Sequence, residues 1–212
     1  MPFYFNPIPN LPQEISMQTW EIIEDVDYYL ANTPPDLIGD ITNRTSSSQK
    51  QKESLACRFL LGNEFNRLQI PISPIIYNHE GKPVLKNEIH FSFTHTSKFA
   101  ACALSQTNEI GIDIESNHRS KEKIAARFLN AQELLIFQSP LQITLSWCIK
   151  EAIYKSFGKK GLSFREQIAI NFNGDSFVAH VITPEKRVDF TLYYTQNELF
   201  TTCVAVPNHP TT

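Results

Sequence analysis

Gly111-Ile112-Asp113-Ile114-Glu115 reads as a β-strand, and Trp147-Cys148-Ile149-Lys150-Glu151-Ala152-Ile153-Tyr154-Lys155 reads as a helix. Residues i and i+2 of a strand point the same way, so Asp113 and Glu115 share a face while Ile112 and Ile114 turn to the core. On the helix, Glu151 and Lys155 are spaced i, i+4 and also share a face. Brought together, the two segments offer hard oxygen donors for a divalent cation, with ammonium groups beside them. Taken singly, each is read first as a solvated strand face and an ordinary surface ion pair, ahead of any catalytic role.

Working outward, the pattern alternates between strands and helices in an α+β order. The first dozen residues carry four prolines and read as an extended arm. Gln18 to Leu30 suits a strand or a helix, and periodicity does not decide between them. Thr33-Pro34-Pro35 breaks the chain, and Thr42 to Ser48 is polar. A helix is expected from about Ser48 to Leu68, with Leu55, Phe59 and Leu60 facing inward and Arg58 beside them. Asn78 to Pro83 reads as a turn between strands. Strands are expected at Ile89–Phe93, Phe99–Leu104 and Ile110–Ile114, followed by short helices near Lys121–Leu129 and Ala131–Phe137. Asn130 with Glu133 forms a capping-box pattern, and Gly158 is a C-cap for the long helix. Strands return at Ile168–Phe172, Phe177–Ile182, Arg187–Tyr194 and Phe200–Val206. Phe99-Ala100-Ala101-Cys102 is echoed by Phe200-Thr201-Thr202-Cys203, which suggests two similar lobes.

Composition bounds the function. At 212 residues, 42% hydrophobic and 19% charged, the chain suits a soluble globular protein of one large domain or two lobes. A net charge of −3 argues against a general nucleic-acid binder. Cys57, Cys102, Cys148 and Cys203 lack CxxC spacing and sit among apolar residues, so buried thiols are expected. The N-terminus lacks a basic segment followed by an apolar one, and no apolar run is long enough to span a bilayer. A cytoplasmic location, with no membrane partner, is the expectation. There is no HExxH zinc motif, no GxSxG elbow, no GxxxxGK[ST] phosphate loop and no GxGxxG fingerprint.

The order of several motifs carries a resemblance. Gly-Ile-Asp followed by Trp-Cys-x-Lys-Glu-Ala-x-x-Lys resembles the two-part signature of the 4′-phosphopantetheinyl transferases, most closely the larger Sfp-type members. Arg58-Phe59-Leu60-Leu61-Gly62, Gly81-Lys82-Pro83, Phe91-Ser92-Phe93-Thr94-His95-Thr96 and Lys160-Gly161-Leu162-Ser163 are similar to further segments of that family, in its order. The resemblance implies a single α+β chain of two pseudo-symmetric lobes, residues 1–108 and 109–212, with the active site at the lobe interface. It implies Mg²⁺ on Asp113, Glu115 and Glu151, and phosphate contacts from Lys150 and Lys155. Arg58, Lys82 and His95 would hold the ADP part of coenzyme A, its 3′-phosphate above all. The activity implied is that of a monomeric holo-acyl-carrier-protein synthase: transfer of phosphopantetheine from coenzyme A to a serine of an apo acyl or peptidyl carrier protein, releasing 3′,5′-ADP. Glu151 would be the base, and Lys155 would act at the phosphate. One departure is the stretch between Asp113 and Trp147, which is short for an Sfp-type member. Rival readings are a coenzyme A-binding module without turnover and a Mg²⁺-dependent pyrophosphate hydrolase.

Overall fold

Asp25 decides the segment that periodicity leaves open. Ile15–Glu21 is a strand (β1), and the Asp25 side chain then accepts the Tyr28 N–H at 2.8 Å and starts a helix at Val26–Asn32 (α1). Asp is a strong N-cap because its oxygen satisfies an amide left orphaned at a helix start. The computed structural model describes residues 7–39, 41, 47–87 and 89–208. The arm before Pro7 and the polar run containing Arg44 lie outside them.

Two compact units result, one of Pro12–Thr107 and one of Asn108 onward together with Ile8–Leu11. In the first, β1 and α1 are followed by Pro35–Ile38 (α2) and Ser48–Leu68 (α3). The strands Ile75–Tyr77 (β2), Pro83–Leu85 (β3), His90–His95 (β4) and Phe99–Ser105 (β5) complete it. β2 and β3 form a hairpin, and an antiparallel sheet runs β1-β5-β4. The helix α3 matches its expected limits. Its residues from Leu55 to Gly62 are all buried, Arg58 included, because the helix packs against the sheet and against α1 and α2. That is wider than the stripe of an amphipathic surface helix.

The second unit starts with Gly111–Ser116 (β6), a 3₁₀ turn at Glu122–Ile124, and two short helices, Ala125–Phe128 (α4) and Glu133–Ile136 (α5). Pro140–Phe157 (α6) then leads to Ile168–Phe172 (β7), Phe177–Ile182 (β8), Arg187–Gln196 (β9) and Phe200–Pro207 (β10). The antiparallel sheet has the order β6-β10-β9-β8-β7. Ser139 and Gln142 form a capping box at the start of α6, and Pro140 occupies its first turn. Gly158 ends it at φ +70°, a backbone conformation that favours glycine.

The sequence echo has a structural counterpart inside each unit. β5 lies between β1 and β4, β10 lies between β6 and β9, and each packs on the long helix of its own unit. A helix cysteine donates to a strand carbonyl in both cases: Cys57 Sγ to Thr94 O at 3.3 Å and Cys148 Sγ to Thr201 O at 3.4 Å. All four cysteines are buried and none forms a disulfide, as expected. Among the described residues, no helix is long and apolar enough to cross a membrane.

Candidate active site

Gly111 lets the site form. A Cβ built there would strike the Ala152 carbonyl oxygen and stand 2.6 Å from the Ser156 amide nitrogen. Without a side chain, β6 lies directly against the backbone of α6. Replacement by Ala is expected to push the helix off the strand and to cost about 2–3 kcal/mol, read from the denaturant midpoint.

That contact sets the strand's carboxylates beside the helix. Ile112 and Ile114 are buried in the core, Asp113 is also buried, and Glu115 is half-buried. Lys155 Nζ donates to Asp113 Oδ1 at 2.7 Å and to Ile112 O at 3.1 Å. Burial lowers the Lys155 pKa, but Asp113 and then Glu151 outweigh it, so the ammonium is held above its ordinary range. Lys121 Nζ sits 2.9 Å from Glu115 Oε1 and 5.0 Å from the centre of the Trp147 ring. Glu151 is half-buried. Burial first, then repulsion from Asp113 and Glu115, raises its pKa to about 7, against the opposing pull of Lys155 and Lys121. The structure therefore brings Asp113, Glu115, Glu151 and Lys155 into one electrostatic neighbourhood. No group of three His, Cys, Asp or Glu side chains among the described residues is arranged to hold a metal ion.

Lys150, expected to contact phosphate, is placed differently from Lys155. Its side chain is 0% exposed. The three hydrogens of Nζ are used on Glu133 Oε2, Phe164 O and Ile168 O, each at 2.7 Å. An ammonium has three donors and no more, so all of them are engaged within the protein. Burial pulls the Lys150 pKa down, and Glu133 opposes that shift. Glu133 also accepts the Asn130 N–H at 2.9 Å and the Ile170 N–H at 2.8 Å, while Asn130 Oδ1 accepts the Glu133 N–H at 2.9 Å. The expected capping box is present, and its glutamate is the buried partner of Lys150.

In the first unit, Arg58 on α3 donates to Ser54 Oγ at 2.8 Å and Ser54 O at 3.2 Å, and reaches Tyr77 Oη at 3.4 Å. Its guanidinium lies 5.4 Å from the Phe93 ring centre. Phe93 and His95 are i, i+2 on β4 and share a face, and His95 Nδ1 lies 3.3 Å from Glu53 Oε2. Lys82 sits in the β2–β3 turn, its amide bonded to Asn78 Oδ1 at 2.9 Å. Arg58 thus meets the end of β2 and the middle of β4. Sequence reasoning did not single out Tyr77, Glu53, Lys121 or the pairing of Glu133.

Residues 109–203 match the sequence profile of the 4′-phosphopantetheinyl transferase superfamily. Similar proteins include the 4′-phosphopantetheinyl transferase gsp of Aneurinibacillus migulanus, 35% identical over 118 residues, covering 49% of this chain and 49% of that protein. The chain therefore spans about half the length of this curated relative. Among solved structures, the holo-acyl-carrier-protein synthase of Thermotoga maritima aligns at 22% identity and a TM-score of 0.41, over 47% of this chain and 62% of that one. The matched segment contains Asp113, Glu115, Lys150, Glu151 and Lys155; Arg58, Lys82 and His95 precede it.

Proposed function

We propose that this protein transfers the 4′-phosphopantetheine arm of coenzyme A to a serine hydroxyl of an apo acyl or peptidyl carrier protein, releasing 3′,5′-ADP in a Mg²⁺-dependent reaction. The observation that carries the reading is the meeting of Asp113, Glu151 and Lys155 on the family's segment. The two carboxylates offer only oxygen, and burial first, then repulsion from Asp113, lifts the Glu151 pKa to about 7. A divalent cation relieves that kind of repulsion. Mg²⁺ is commonly held by one or two carboxylates, with waters and substrate phosphate oxygens filling the remaining positions. A closed cage of protein ligands is therefore not required.

In this reading Asp113 and Glu151 hold Mg²⁺, with Glu115 beside them, and the bound ion neutralises charge on the pyrophosphate. The chain's own groups do the rest. The serine oxygen forms a bond to the phosphopantetheine phosphorus, and the bond from that phosphorus to the bridging pyrophosphate oxygen breaks. The electron pair leaves with 3′,5′-ADP, and Lys155 stabilises the charge that develops. Glu151 takes the serine proton, directly or through a water. Arg58, Lys82 and His95 are assigned to the ADP part of coenzyme A. Lys150 is assigned to the scaffold rather than to phosphate.

The test is incubation of the protein with coenzyme A, Mg²⁺ and apo carrier proteins, read as the mass gained by the carrier. Modification of one carrier serine is expected. Release of free phosphopantetheine without carrier modification would instead identify a pyrophosphate hydrolase. Asp113→Ala is expected to lose Mg²⁺-dependent coenzyme A binding in calorimetry. Parent protein that binds equally well with and without Mg²⁺ would sink the metal role.

A further inference from the structure

Lys121 lies in the short connection between β6 and α4, where no motif of the sequence draws attention to it. Its side chain is 10% exposed and that of its partner Glu115 is 18% exposed. The backbone carbonyl of Lys121 accepts the Ile124 N–H at 3.0 Å, which fixes the root of the side chain at the start of the 3₁₀ turn. Its far end is fixed as well. Nζ lies between the Glu115 carboxylate at 2.9 Å and the Trp147 ring, whose centre is 4.9 Å from that of Phe128 and 5.7 Å from that of Phe164. A largely desolvated ammonium held by a carboxylate and an aromatic face is not a fluctuating surface pair.

We infer that Lys121 is a positioning residue that withholds Glu115 from the divalent cation, leaving Asp113 and Glu151 as the carboxylates that bind it directly. The inference rests on the metal reading above and refines it. Lys155, at 28% exposure, is more open than Lys121, so it is the ammonium placed to turn to an incoming phosphate. Lys121 has no comparable opening; its contacts are to β6 and α6 themselves. With two carboxylates engaged, the remaining Mg²⁺ positions pass to waters and pyrophosphate oxygens, as that ion prefers. Lys121 therefore sets how tightly the free protein holds the metal before coenzyme A arrives.

The test is Mn²⁺ binding to the full chain without coenzyme A, measured by the electron paramagnetic resonance signal of free Mn²⁺. The proteins compared are the parent, Glu115→Gln, Lys121→Met, the double variant, Lys121→Arg and Asp113→Asn. Glu115→Gln is expected to stay within about twofold of the parent, and Lys121→Met to bind about tenfold more tightly because Glu115 is released. In the Lys121→Met background, Glu115→Gln should then remove that gain, about tenfold, the non-additivity expected of a coupled pair. Lys121→Arg, which keeps the pair, should match the parent. A Glu115→Gln loss of equal size in both backgrounds would overturn the inference, since Glu115 would then ligate the metal regardless of Lys121. Unchanged Mn²⁺ affinity in Asp113→Asn would instead remove the metal reading on which the inference stands.

Discussion

Glu151→Gln is expected to slow phosphopantetheine transfer by about 10²–10⁴-fold, the range typical for loss of a general base. The amide keeps the size of the side chain but can neither accept the serine proton nor bind a cation with charge. The same variant carries a second, independent signature. In the metal-free protein, burial and the Asp113 and Glu115 charges raise the Glu151 pKa from the usual 4.5 to about 7. A carboxyl whose pKa is raised on folding holds a proton that the unfolded chain has given up, so its stabilising contribution is fully present below about pH 4.5. That contribution is lost as pH rises through about 7. Gln cannot ionise and escapes the loss. Glu151→Gln should therefore melt like the parent at pH 4.5 and be more stable at pH 8, by on the order of 2–3 kcal/mol. Mg²⁺ should narrow the gap at pH 8 by stabilising only the parent. A variant with full transfer activity would remove Glu151 from the chemistry. One that is inactive but no more stable at pH 8 would mean that Glu151 is not strained in the free protein.

The strand and helix of the candidate site were legible because each signal is local. Alternation of Ile and acid in Gly111–Glu115 fixes which side chains share a face, and the spacing of Glu151 and Lys155 fixes a helix face. Prolines and caps made α3 and α6 readable to within a residue or two at most ends. Gln18–Leu30 was not readable, since Trp20, Ile22, Val26 and Tyr29 fit either period, and the arbiter was a single cap at Asp25. The buried pairing of Lys150 was not readable for a different reason. Adjacent residues on a helix point about 100° apart, and only the tertiary structure says which direction is solvent and which is Glu133. Lys121 left no trace in the sequence, because its role comes from a loop folding back onto Trp147 and Glu115.

Lys150→Met is the variant that separates a scaffold from a phosphate ligand. Lys150 and Glu133 are 0% and 1% exposed, and every ammonium hydrogen has an acceptor. Removing one partner of such a pair leaves a buried charge uncompensated, along with the Phe164 and Ile168 carbonyls, and costs about 3–5 kcal/mol. Glu133→Gln should cost less. It keeps an oxygen for Lys150 or for the Ile170 amide, but it loses the charge and places an N–H₂ where an acceptor stood. The two losses should not add, because both variants break the same network. The folded fraction of Lys150→Met at low temperature is the informative sample. If Lys150 anchors the helix, the KM for coenzyme A in that sample stays near the parent value, while kcat falls as Glu151, the next residue on the helix, loses its fixed direction. A phosphate ligand would behave in the opposite way, with a normal melting temperature and a raised KM. The buried geometry predicts the first pattern, in which Lys150 supports catalysis through α6 without touching the substrate.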